Sequence, residues 1–259
     1  MASTSWQTAK DPSGQITEEF VVKRESHRNV TGALWTPKDP VDDTLIAFGH
    51  GASGDRYQAP IPYMANRLGQ LGYTSVALDG PVHGLRQVGP GGREALGLEL
   101  ERQTVIEDMV ADWNVAIDTV ERKRATNTDH FAYFGLSMGS IFGIPLLAER
   151  SRNQHNVTVA VLGLLGTTGA VAKFAERLNE DATAINCPLL YLMQLEDELF
   201  PRDGYLELFD SLGSPDKRMH ANPGLHPEIP AEEINSAIDF LSKHLEGEVP
   251  RRIINPLAE

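Results

Sequence analysis

The chain is short of cysteine, basic residues and long hydrophobic runs, and each shortage removes a class of protein. Its one cysteine, Cys187, cannot close an internal disulfide, and no second thiol exists to build a zinc ribbon or a redox pair. Cysteine usage therefore gives no reason to expect secretion. Lys and Arg number 23 against 36 Asp and Glu, a formal charge of −13, so the average surface repels phosphate backbones and anionic lipid. Neither nucleic acid nor a membrane is an expected partner. The longest apolar runs, around residues 157–165 and 188–192, fall far short of the roughly 20 residues that cross a bilayer. Residues 1–10 are polar, without the basic start and apolar stretch of a secretion signal, and the cytoplasm is the expected compartment.

What the chain does have is apolar residues for a large core: 41% of 259, the composition of an ordinary globular protein. No repeat, linker or compositional shift divides it, so a single domain over residues 1–259 is expected. Residues 20–23 and 30–35 carry β-branched and aromatic side chains closed by Thr36-Pro37 and Asp39-Pro40, the marks of an opening antiparallel pair. Four compact apolar runs follow, at 44–48, 74–78, 131–134 and 157–164, and read as buried parallel strands. Two further strands are expected at 188–192 and 218–221.

Helical spacing recurs between the strands. Met64, Leu68 and Leu71 mark one helix over 62–71, and Ile106, Met109, Val110, Trp113 and Ile117 another over 105–120. Further helices are expected from about Ala95, over 141–148, 170–179 and 205–212, and over 231–245. The alternation predicts an α/β protein whose mostly parallel sheet of about eight strands has helices on both faces. The glycine-rich piece 88–92 is expected to be a mobile loop over the strand ends, and residues 251–259 an extended tail.

The decisive segment is Gly135-Leu136-Ser137-Met138-Gly139, directly after the strand 131–134 and before an apolar helix. A G-x-S-x-G in that context forms a tight strand-to-helix turn that lifts the serine hydroxyl clear of the sheet. The flanking glycines allow the two backbones to approach where a Cβ would not fit. The helix N-terminus also points free N–H groups at any charge that develops during attack.

In this turn the chain resembles the α/β-hydrolase superfamily, and the resemblance extends over residues 20–245. It implies an α/β-hydrolase fold and a Ser-His-Asp triad in the chain order nucleophile, acid, base. Ser137 is the nucleophile. Asp197, 197 − 137 = 60 residues on, is the acid candidate, with Glu196 in the same Glu-Asp-Glu cluster as the alternative. His226, 226 − 197 = 29 further on, stands in the loop before the last helix and is the base candidate. A serine hydroxyl is a poor nucleophile at neutral pH, so the imidazole must take its proton and the carboxylate must orient the imidazole. Of the other histidines, His50 and His83 are assigned to the scaffold.

Gly49-His50-Gly51-Ala52 resembles the family's oxyanion loop. The resemblance implies that backbone N–H groups of Ala52, or a residue on either side of it, and of Met138 bind the oxyanion. Asp79-Gly80-Pro81-Val82-His83-Gly84 is similar to the family's D-x-P-G-H-G turn, with Val82 in place of the usual glycine before the histidine and Gly80 before the proline, and Asp79 and His83 are read as braces. No metal-ligand pattern is present, and neither metal nor cofactor is expected.

About 20 residues separate the expected strands that end near Gly166 and begin at Pro188, which leaves room for a helix but no large lid domain. Cover is expected from residues 86–100 and 167–171, with Gly51, Leu96 and Thr167 contacting substrate and Leu98 and Leu100 nearby. The layout is similar to the dienelactone-hydrolase-like serine carboxylesterases, with Ser137 where dienelactone hydrolases carry cysteine. A small-molecule ester, short or compact or a lactone, is the substrate it implies. An acyl thioesterase, with a basic rim from Arg86, Arg93 and Arg102, and an inactive binding protein of the same fold are the alternatives, and self-association is left open.

Overall fold

Nine strands form one sheet in the order β1-β2-β3-β5-β4-β6-β7-β8-β9. A computed structural model describes residues 3–25, 27–41 and 43–247, so the tail expected at 251–259 lies outside the described residues. The strands are β1 (Ser3–Lys10), β2 (Ile16–Lys23), β3 (Val30–Trp35), β4 (Thr44–Gly49), β5 (Thr74–Leu78), β6 (His130–Leu136), β7 (Val157–Gly163), β8 (Leu189–Gln194) and β9 (Lys217–Asn222). The first three join antiparallel, β3 meets β5 antiparallel, and the six from β5 to β9 run parallel.

The helices are α1 (Ile61–Gly69), α2 (Gly92–Leu100), α3 (Val105–Arg124), α4 (Met138–Arg152), α5 (Ala175–Ala184), α6 (Arg202–Ser211) and α7 (Ala231–Leu245). Two apolar layers flank the sheet. One holds α1 and α7 through Ile61, Met64, Leu68, Ile234, Ile238 and Leu241. The other holds α2 to α6, with Trp113, Ile144, Leu178 and Leu208 among its buried side chains. The expected helix over 170–179 divides into a 3₁₀ segment, Gly169–Phe174, itself kinked at Val171 (φ −122°, ψ 18°), and α5.

The ninth strand, β1, is the main departure from expectation. Its residues are nearly all exposed, so no apolar alternation marks it. It is held by an eight-residue backbone ladder to β2 and by Trp6, whose ring lies 5.2 Å from that of Phe20.

Strand order also locates the crevice. From β4 the chain first steps to β5 on one side, then returns to lay β6 on the other. Loops leaving the carboxyl ends of β4 and β6 therefore diverge and open a cleft between them, the usual place for a ligand in such sheets. Gly49 at the end of β4 pairs with Gly135 at the end of β6, which sets Gly51-Ala52 beside Ser137.

Candidate active site

Ser137 sits at φ 57° and ψ −118°, a left-handed conformation that a non-glycine residue adopts only where its surroundings enforce it. Here they do. The Ser137 N–H donates to the Gly163 carbonyl of β7 at 2.9 Å. The Ser140 hydroxyl lies 2.7 Å from the Gly135 carbonyl and 2.8 Å from that of Gly163, and accepts the Gly163 N–H at 2.9 Å. A Cβ on Gly139 would stand 2.4 Å from the Gly49 carbonyl oxygen, so only glycine lets α4 start this close to β4. The Tyr133 hydroxyl donates to the Gly139 carbonyl at 2.7 Å and closes the turn from below. Ser140 and Tyr133 carry no motif of their own and were missed in the sequence.

Ser137 Oγ lies 2.9 Å from His226 Nε2, and His226 Nδ1 lies 2.7 Å from Asp197 Oδ2. The histidine and carboxylate side chains are only 5% and 1% exposed, which leaves the serine as the accessible end of the chain. Burial alone would raise the Asp197 pKa. Hydrogen bonds from His226, the Tyr205 hydroxyl and the Leu199 N–H outweigh it and hold the carboxyl below its ordinary value. An ionised Asp197 can only accept, so Nδ1 carries the proton and Nε2 is free to take one from Ser137.

The acidic cluster separates into three jobs. Asp197 meets the imidazole, whereas the exposed Glu196 carboxylate accepts the Gly224 N–H and the Glu198 carboxylate accepts the His226 N–H at 2.8 Å. Glu228 accepts the Leu225 N–H at 2.7 Å, and buried Gln194 donates to the Glu228 carbonyl at 2.8 Å. The histidine loop is thus clamped by four side chains, none of which a motif singles out for that task.

On the facing side, the Gly80 N–H donates to His50 Nε2 at 2.7 Å, so the His50 proton is on Nδ1, which donates to the Gly51 carbonyl at 2.7 Å. His83 Nε2 donates to the Ala52 carbonyl at 3.0 Å. The two rings stack edge to face, their centroids 5.1 Å apart. Burial lowers the His50 pKa to about 4, with the neighbouring His83 adding to the effect, and burial lowers that of His83 as well. Both rings are therefore neutral near pH 7. A trans peptide points its N–H opposite to its carbonyl, so a Gly51 carbonyl held by His50 turns the Ala52 N–H away from that ring. The Gly51 N–H itself is taken by Gln58 Oε1 at 2.7 Å. Beneath the loop, Asp79 is fully buried and accepts from Arg56 Nη1 at 2.9 Å and from the Thr31 hydroxyl at 2.6 Å.

Above Ser137 opens a cavity of about 490 Å³. Gly51, Ala52, Met138, Leu96, Leu100 and His226 line it. Thr167 does not: it is buried away from the cavity, with its hydroxyl 2.7 Å from Glu207 Oε2. The loop turns it toward α6, and Val171 reaches the cavity from that segment instead. Leu98 faces solvent at 73% exposed. Arg86 is buried in an ion pair with Asp112 and Arg102 pairs with Glu99 and Asp108, so of the expected basic rim only Arg93 lines the cavity. Among the described residues no group of three His, Cys, Asp or Glu could hold a metal ion, and no helix is long and apolar enough to cross a membrane.

This is the sheet, turn and loop order of an α/β hydrolase, and solved structures agree. A cold-adapted esterase from an Arctic intertidal metagenomic library is similar in its zinc-bound structure at 32% identity and a TM-score of 0.75, covering 93% of this chain and 99% of that one. Its PEG-bound complex gives 29% and 0.72 over the same shares. Acetyl xylan esterase 1 from Thermoanaerobacterium sp. shares the fold at 14% identity and a TM-score of 0.68, covering 94% of this chain and 88% of that one. No family model and no curated protein matches the chain. The chain belongs to the α/β-hydrolase superfamily.

Proposed function

We propose that the protein hydrolyses carboxylic esters of small molecules through an acyl-enzyme on Ser137. The observation that carries this reading is the relay Ser137–His226–Asp197, at 2.9 and 2.7 Å, opening into an apolar cavity. His226 Nε2 takes the hydroxyl proton as Ser137 Oγ attacks the ester carbonyl, and Asp197 stabilises the imidazolium. The tetrahedral oxyanion is received by the N–H groups of Ala52 and Met138, the second at the first turn of α4. Collapse expels the alcohol with the proton from His226. Water, deprotonated by the same imidazole, then releases the acid.

The cover consists of α2 and short loops, so a long acyl chain outside the cavity contributes little of the roughly 0.8 kcal/mol per methylene that full burial gives. Specificity should favour compact esters, with kcat/KM highest for acyl chains of about two to six carbons. Lactones fit the same open layout. A thioesterase acting on phosphate-bearing carriers is disfavoured because Arg86 and Arg102 are neutralised by their own carboxylate partners. A panel of p-nitrophenyl esters from acetate to palmitate, run beside lactones and acyl-CoA thioesters, tests the reading. Turnover that rises steadily toward palmitate would overturn the preference for compact esters, and no hydrolysis of any ester would overturn the function.

A further inference from the structure

On α2, residues 93, 96, 97 and 100 recur at intervals of three, four and seven, one helical face, and all four line the cavity. Leu96 and Leu100 are what such a face calls for. Arg93 is not. Among the described residues lining the cavity it is the only permanently charged one, and it stands exposed.

The fold gains nothing visible from a cation there. Among the described residues no ion pair or hydrogen bond engages the Arg93 guanidinium, whereas the nearby Glu99 is shared by Arg28 and Arg102. A positive charge in the first turn of a helix also opposes the helix dipole. In a protein of net charge −13, an unpaired arginine on the apolar wall of a substrate cavity is a group awaiting an anion.

We infer that Arg93 forms a subsite for an anionic group, a carboxylate or a phosphate, carried by the substrate at the end remote from the scissile bond. This rests on the ester-hydrolase reading for its chemistry, though not for its binding. An ion pair at an exposed position is worth up to about 1 kcal/mol, or about a threefold to fivefold preference.

The kinetic test compares mono-p-nitrophenyl glutarate with p-nitrophenyl pentanoate, which share a leaving group and differ by the terminal carboxylate. A phosphate arm compares pentanoyl-CoA with the pentanoyl thioester of pantetheine. Wild type should prefer the anionic member of at least one pair by about threefold to fivefold. The preference should vanish in Arg93→Gln, survive in part in Arg93→Lys, and shrink as salt shortens the Debye length from about 30 Å to about 3 Å. No preference in either pair, or the same preference in Arg93→Gln, overturns the subsite. Binding of glutaramate against pentanamide by Ser137→Ala protein asks the question without turnover. Equal affinity there, together with no preference for pentanoyl-CoA over the pantetheine thioester, overturns the subsite whatever the chemistry, while tighter glutaramate binding beside absent hydrolysis leaves the subsite standing and refutes the ester reading alone.

Discussion

Two of the helices that line the cavity, α4 and α2, are attached in opposite ways. Of the 15 residues of α4, 12 are buried, and its first turn is pinned by Gly139 against β4 and by Ser140 across to β7. Of the 9 residues of α2, only Ala95 and Leu96 are buried, and Leu98 faces water. The difference matches what the proposed function asks of each helix. A nucleophile must be held to a fraction of an ångström, since small misplacements cost orders of magnitude in rate. A wall that selects substrate can shift with little loss, and the same freedom makes α2 the place where specificity can change without disturbing the chemistry.

The strongest break in that comparison is at the nucleophile. Ser137→Ala should lower ester turnover by about 10⁴ to 10⁶, with the melting temperature little changed because one heavy atom is lost. A folded variant with retained turnover would move the nucleophile elsewhere. Asp197→Asn should likewise cost about 10⁴, far more than Glu196→Gln, whose carboxylate holds only the Gly224 N–H.

Gly139→Ala tests the pinning itself. Its Cβ would meet the Gly49 carbonyl at 2.4 Å, and backbone there cannot move without displacing β4. Denaturant unfolding should show a loss of about 3 kcal/mol, whereas Gly97→Ala on α2, whose Cβ meets nothing within 4 Å, should be neutral or stabilising. Equal effects would erase the contrast between the two helices.

Acid tests the facing loop. Between about pH 6.5 and about 4 the unfolded chain binds a proton at position 50 that the buried imidazole, with its pKa lowered to about 4, refuses. More protons are bound unfolded, so stability falls as pH drops through that window, by up to about 3 kcal/mol from this group. Unfolding curves across the window should show that slope, flattened in His50→Asn. An unchanged slope would mean that His50 is not held neutral.

A smaller loss is expected where the histidine only positions. His83→Ala frees the Ala52 carbonyl, and kcat should fall by about tenfold to a hundredfold with KM nearly constant, less than the loss of an oxyanion donor itself. A rise in KM at constant kcat would place the effect in binding instead. Smallest of all, Leu98→Ser on the outer face of α2 should leave stability within about 0.5 kcal/mol and activity unaltered. A marked loss of activity in Leu98→Ser would show that α2 closes further over the substrate than its present position.

The parallel strands β4 to β8 were legible because each is an apolar run of strand length, and the elbow because glycine spacing around Ser137 reports a steric requirement. β1 was not, since a strand held by backbone pairing on an exposed sheet edge needs no apolar pattern. Asp197 and Glu196 could not be separated in sequence, where they are adjacent carboxylates. In space they diverge completely, because neighbouring side chains on a tight loop point apart: one into the imidazole, the other onto a backbone N–H. Thr167 was misplaced for the same kind of reason, a loop whose direction is set by its contact with α6.

The sequence by itself determined the alternation of strand and helix, the strained serine turn and the order of the three polar residues, because these are written in local periodicity and local sterics. Only the tertiary structure decided which carboxylate meets His226, that Gln194, Glu196, Glu198 and Glu228 clamp its loop, that His50 and His83 aim the facing peptides, and that Arg93, unlike Arg86 and Arg102, is left without an ion-pair partner. Those are contacts between residues far apart in the chain, and their geometry exists only once the sheet has stacked the ends of β4, β6, β8 and β9 side by side.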